Sequence, residues 1–121
     1  MTTQLPAELT KKKCQPCEGG IEPVSAAAAA EQVAALPGWK LSSDGKMIRK
    51  EWRLKDFSAG IDFFQRVADV ANAEDHHPDL HLTGYRNVAI ELTTHATKGL
   101  SENDFILAAK IDELPVDLKS K

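Results

Sequence analysis

Apolar residues recur along this chain with two periods, and the switches between them mark out its elements. Ser25 is placed to cap a helix beginning at Ala26, where five consecutive alanines have high helix propensity. Val33 and Leu36, three apart, give it an inward stripe, and Pro37-Gly38 ends it. Trp39 and Leu41 then open a short strand, and Ser42-Ser43-Asp44-Gly45 has the chemistry of a hairpin turn. On the return, Ile48, Trp52 and Leu54 share one face, while Met47, Arg49, Glu51 and Arg53 share the other. Such period-two alternation with one charged face fits an antiparallel sheet covered on one side. From a cap at Asp56, the residues Phe57, Ile61, Phe64, Val67 and Ala71 recur at helical spacing. This helix is expected to reach Asp75 or His76, because Pro78 lacks an amide hydrogen and keeps His77 out of the α region. Leu80, Leu82 and Tyr85 follow as a short strand. In the next, Val88, Ile90 and Leu92 point one way and Ala89, Glu91 and Thr93 the other, which puts His95 away from the core. Ser101 caps a last helix carrying Phe105, Ala108, Ala109 and Ile111. The order α-β-β-α-β-β-α predicts an α+β fold, a four-stranded antiparallel sheet with helices packed on one face.

At 121 residues the chain holds one core. We divide it into an extended polar arm over 1–22, a single domain over 23–115, and a tail over 116–121 that frays after Pro115. A net charge of −3 argues against a nucleic-acid partner. No apolar run approaches the roughly 18 residues of a membrane span, and Met1 to Lys13 lacks the apolar segment of a secretory signal. The expected compartment is the cytoplasm, or an organellar matrix if a transit peptide has been removed. Cys14 and Cys17 form a Cys-x-x-Cys pair, but no further ligands for zinc follow, and the flanking lysines and glycines suggest a non-catalytic segment.

Chemistry concentrates between Asn72 and Asp104. All four histidines fall there, at 76, 77, 81 and 95. Imidazole titrates near neutrality, so the cluster points to acid–base work. His76 and His77 end a helix, where the dipole favours positive charge, whereas His81 is expected on the solvent face of its strand. Zinc held by His76, His77 and His95 is a rival reading, but adjacent histidines seldom aim at one metal and no H-x-x-x-H pairing occurs. We therefore expect neither a metal nor any other cofactor. Trp39 and Trp52 read as core residues.

The His76-His77-Pro78 run, Tyr85, Thr93-Thr94-His95, and Gly99-Leu100-Ser101-Glu102 leading to Asp104 together resemble the pterin-4a-carbinolamine dehydratase family. The resemblance spans roughly residues 25 to 112. In two places the chain departs from it: the interval from His77 to His95 is one residue longer than in the animal branch, and Asn72 stands where an acid is common. The resemblance implies an α+β fold assembled as a homodimer or homotetramer. It also implies loss of water from a 4a-hydroxytetrahydropterin, giving the quinonoid dihydropterin. His76 and His95 become candidates for proton transfer to the departing hydroxyl, and His77 for holding the substrate. Asp104 is a candidate to orient an imidazole or to bind substrate; as the third helical residue after Ser101, it is equally a helix cap. Thr93 and Thr94 would offer backbone groups to the pterin edge, and Asn72 would lie one helical turn before His76. The resemblance also implies an alternative, a non-enzymatic module that serves a transcription factor as its dimerisation cofactor.

Overall fold

The alternating residues 48–53 become the second strand of a four-stranded sheet in a computed structural model that describes residues 3–15 and 22–120. Along the chain the elements are α1 (Pro6–Leu9), α2 (Ala26–Ala34), β1 (Lys40–Leu41), β2 (Ile48–Arg53), α3 (Phe57–Glu74), β3 (Asp79–Thr83), β4 (Asn87–Leu92), a 3-10 turn (His95–Thr97) and α4 (Glu102–Asp112). The sheet order is β1-β2-β4-β3, and every pairing is antiparallel. Register places Trp52 opposite Val88 and Val88 opposite Leu82, with Ile48 opposite Leu92. These side chains face the helices. On the other face Glu91 accepts from Arg49 at 2.8 Å and pairs with His81 at 2.8 Å. His81 therefore sits where the alternation put it. Together the two partners hold the Glu91 carboxyl below its ordinary pKa, His81 contributing most.

The caps expected at Ser25 and Asp56 both form, accepting from the amides of Ala28 and Ala59. The buried stripe of α3, however, is Ala59, Gly60, Phe63, Val67 and Ala71, whereas Phe57 and Ile61 are exposed. The helix has two apolar faces, and close approach decides between them. A methyl at Gly60 would lie 3.1 Å from Leu82 Cδ1, so the narrow glycine face turns to the sheet. Around Trp52 the core closes with edge-to-face contacts, 6.0 Å to Trp39 and 5.2 Å to Phe63. Both tryptophans are thus occupied in packing. α4 is buried from Asn103 to Ala109 and again at Ile111, because α1 and α3 both pack against it.

Two expectations about the ends fail. Within the segment read as an extended arm, residues 6–9 form a helical turn that seats Leu9 in the core with no exposure. Leu9 is the one buried residue of a four-residue helix, which is too short for a periodicity to read. The tail does not fray after Pro115 either. Lys55 N–H donates to Asp117 O, Lys119 N–H donates to Arg53 O, and Leu54 bridges to Leu118. Residues 117–119 therefore pair with residues 53–55 at the end of β2. Cys14 is buried, and the burial pushes its thiol pKa up to about 12, the nearby Glu74 carboxylate adding to the effect. A thiol so resistant to ionisation is a poor nucleophile, in keeping with a non-catalytic role. Cys17 lies outside the described residues.

Candidate active site

α3 ends by turning His76 inward. Asp75 adopts the left-handed conformation, at φ 52° and ψ 42°. His76 N–H then reaches back to Ala71 O at 3.2 Å, and Asp75 N–H reaches Asn72 O at 3.3 Å. These two bonds make a Schellman motif, which satisfies the last carbonyls while reversing the chain. Pro78 follows and forbids any return to helix. His76 is consequently buried, and His77 stays exposed.

Where the helix stops, the side chain of Asn72 bonds to His77. Its Oδ1 lies 3.0 Å from His77 Nε2. The left-handed turn at Asp75 carries the chain back, so that His77, five residues on, reaches Asn72. An asparagine oxygen accepts, so His77 carries its hydrogen on Nε2 in this arrangement.

Beneath the surface, Asp104 joins the two halves of the site. Its Oδ1 is 2.7 Å from His76 Nε2, and its Oδ2 accepts from Thr94 Oγ1 at 2.7 Å and from Ser101 N–H at 3.0 Å. Thr94 Oγ1 is also 2.8 Å from Ser101 Oγ. Asp104 and Ser101 have no exposed surface, and Thr94 has 1%. Asp104 thus both caps α4 and fixes a buried imidazole. Its burial excludes the direct substrate contact assigned to it, as does that of the Thr94 side chain. Nor are the backbone groups of Thr94 open to a ligand. Its N–H donates to Gly99 O at 2.9 Å, and its carbonyl accepts from Gly99 N–H. Thr93 is half-buried, and its hydroxyl donates to Lys46 O at 2.6 Å.

β4 closes at Leu92, but its inward parity continues through Thr94, which is why Thr94 reaches Asp104. His95 follows on the 3-10 turn with its side chain exposed. The chain therefore brings His76 to Asp104 and Asp104 to Thr94, the residue preceding His95. The role of Ser101 beyond capping was not read from sequence, although its place beside Thr94 is a consequence of the Thr94–Gly99 bridge. No group of three or more His, Cys, Asp or Glu side chains able to hold a metal ion occurs among the described residues.

Residues 22–114 match the family model for pterin 4 alpha carbinolamine dehydratase. The chain belongs to that family. It is 50% identical over 114 residues to pterin-4-alpha-carbinolamine dehydratase 2, mitochondrial, of Arabidopsis thaliana, covering 92% of this chain and 61% of that protein. It thus spans less than two thirds of the plant protein's length. With a Halorhodospira halophila protein to which the same activity is provisionally ascribed, identity is 44%, over 88% of this chain and 96% of the relative. Among solved structures, a transcriptional coactivator/pterin dehydratase from Brucella melitensis superposes with a TM-score of 0.69 at 30% identity, covering 74% of this chain and 95% of the other. The dehydratase family's fold and this chain's fold are the same.

Proposed function

We infer that this protein dehydrates a 4a-hydroxytetrahydropterin to the quinonoid dihydropterin. One observation carries the reading: Asp104 bonds both His76 at the end of α3 and Thr94, the residue before His95, so the two segments that carry these histidines meet at one buried carboxylate. The reaction breaks the C4a–O bond. One proton goes to the departing hydroxyl, which leaves as water, and a ring nitrogen gives one up. Groups titrating near pH 7 serve both transfers. His95 protonates the leaving hydroxyl, His77 orients the pterin with Asn72 behind it, and His76 is the second proton-transfer group at the floor of the site. Asp104, supported by Thr94 and Ser101, fixes the His76 ring with its hydrogen on Nε2. Thr93 borders the site through the Lys46 loop.

The substrate is a small pterin, and the net charge of −3 disfavours nucleic acid. No helix among the described residues is long and apolar enough to cross a membrane. We place the protein in the cytoplasm or, as the name of the Arabidopsis relative suggests, an organelle matrix. We take the working form to be a homodimer or homotetramer.

Stopped-flow assay of 4a-hydroxytetrahydropterin loss tests the reading. Alanine at His76, His77 or His95 is expected to slow the reaction by about 10²-fold or more, and exhaustive chelation to leave the wild-type rate unchanged. A folded wild-type chain without activity would favour the partner-binding alternative. Activity lost on chelation and restored by stoichiometric zinc would favour a metal site.

A further inference from the structure

Residues 12–15 precede the segment that matches the family model, yet they bond to both helix ends that build the site, Lys12 Nζ donating to Glu102 Oε2 at 3.2 Å. Lys13 Nζ donates to Ala73 O at 3.1 Å, and Cys14 N–H donates to Glu74 Oε1 at 2.8 Å. Ala73 and Glu74 are the last two residues of α3, immediately ahead of the Asp75 reversal. On the α4 side, Gln15 and Asn103 exchange two bonds: Gln15 N–H donates to Asn103 Oδ1, and Asn103 Nδ2 donates to Gln15 O, each at 2.8 Å. The Cys14 thiol lies 3.6 Å from Asn103 O. Asn103 is 1% exposed and directly precedes Asp104. Glu74 closes the loop with its other oxygen, 2.9 Å from Lys110 Nζ on α4.

The segment is anchored independently at its far end. Leu9 is in the core, and Gln4 and the buried Gln32 exchange reciprocal bonds at 2.8 and 2.9 Å. Residues 3–15 thus form a strap fixed on α2, running across α4 and fastened to the facing ends of α3 and α4. The His76–Asp104 contact spans that same gap.

We propose that residues 12–15 are positioning residues of the site, fastening the α3 end to the α4 start so that His76 stays against Asp104. Glu74 and Asn103 are the side chains through which the strap acts. The consequence for catalysis rests on the dehydratase reading above; the consequence for the His76 ring does not.

The test compares Asn103→Ala and Glu74→Ala with Gln32→Ala, which cuts the strap at its remote anchor, and with Glu74→Gln, which keeps an oxygen for Cys14 N–H. Dehydration kinetics and the ¹⁵N and ¹H signals of the His76 ring are measured well below each variant's Tm. Asn103→Ala and Glu74→Ala are expected to lower kcat by about 10- to 100-fold, the scale of small misplacements, with KM within about twofold, and to move the His76 signals. Gln32→Ala is expected to lower Tm while leaving kcat and those signals as in wild type, and Glu74→Gln to behave nearly as wild type. If Asn103→Ala does not fold, Glu74→Ala decides alone. Wild-type kcat and His76 signals in folded Glu74→Ala would overturn the proposal. Equal losses in Glu74→Gln and Glu74→Ala would overturn it too, since charge rather than the tie would then matter. A wild-type chain without dehydratase activity would count against the functional reading, and the ring signals would still decide the strap.

Discussion

Asp104 engages both of its oxygens inside the protein, and its substitution separates the two tasks they perform. In Asp104→Asn one oxygen becomes an amide nitrogen, which cannot accept from His76 Nε2–H or from Ser101 N–H and Thr94 together. The variant is expected to lose about 10²-fold or more in kcat. It is also expected to lose about 1–3 kcal/mol of stability for the unsatisfied buried group, checked by stopped-flow kinetics and urea unfolding. A stable variant of wild-type rate would remove Asp104 from the mechanism. The sequence offered cap and imidazole partner as rivals; both hold, because one oxygen faces back along α4 and the other faces a residue 28 positions away. Only the first relation is local enough to read. Cys14 supplies a prediction in pH. Its thiol stays protonated in the fold to about pH 12, against an ordinary value of 9.0. Between those values the unfolded chain has released a proton that the folded chain retains, so stability present below pH 9 is lost as pH rises. Cys14→Ala is expected to flatten the alkaline loss of stability by up to about 1.4 kcal/mol per pH unit. Identical slopes in denaturant titrations from pH 8 to 11 would show the thiol to be effectively exposed.

At the scale of elements, period and punctuation were legible and the geometry of element ends was not. Ser25, Asp56 and Ser101 announced three helix starts, and the alternation of β2 and β4 announced the sheet. The end of α3 was bounded by Pro78 but not resolved, because nothing in Asn-Ala-Glu-Asp-His-His says that Asp75 will take a left-handed turn. That one residue decides that His76 goes inward and that Asn72 meets His77. Glycine is the usual occupant of such a position, since a Cβ there is strained. Asp75→Gly is therefore expected to stabilise the protein by up to about 1 kcal/mol, and Asp75→Val to destabilise it by about 1–2 kcal/mol. Urea midpoints with unchanged m-values measure both. The opposite order would mean that the Asp75 side chain, rather than its backbone conformation, holds the turn. The short strap escaped reading for the opposite reason: its anchoring is by Leu9 and by polar side chains bonded to residues about 28 to 98 positions away.

The whole molecule covers one face of its sheet and leaves its edges asymmetric. β1 and β3 are the edge strands; β1 has two residues, whereas β3 has five and carries Leu80, 37% exposed. On α3, Phe57 and Ile61 are 53% and 48% exposed and lie one turn apart. These are residues that helical periodicity assigned to the core, and the structure leaves them exposed instead. An apolar helix face turned away from its own sheet needs another cover. A second copy of the chain is the partner expected from the homodimer or homotetramer proposed above. Lysine at position 61 would place an unpaired ammonium in that contact, at a cost of several kcal/mol, yet would be harmless on an exposed helix of a monomer. Light scattering after gel filtration is expected to give a dimer or tetramer mass for the wild type and a smaller species for Ile61→Lys, with far-UV dichroism unchanged. A monomeric wild type at tens of micromolar, or an unaltered assembly in Ile61→Lys, would place the interface elsewhere or deny it. Because His76, Asp104 and the strap lie within one chain, a dissociated Ile61→Lys variant should keep its buried dyad and the NMR signals of the His76 ring.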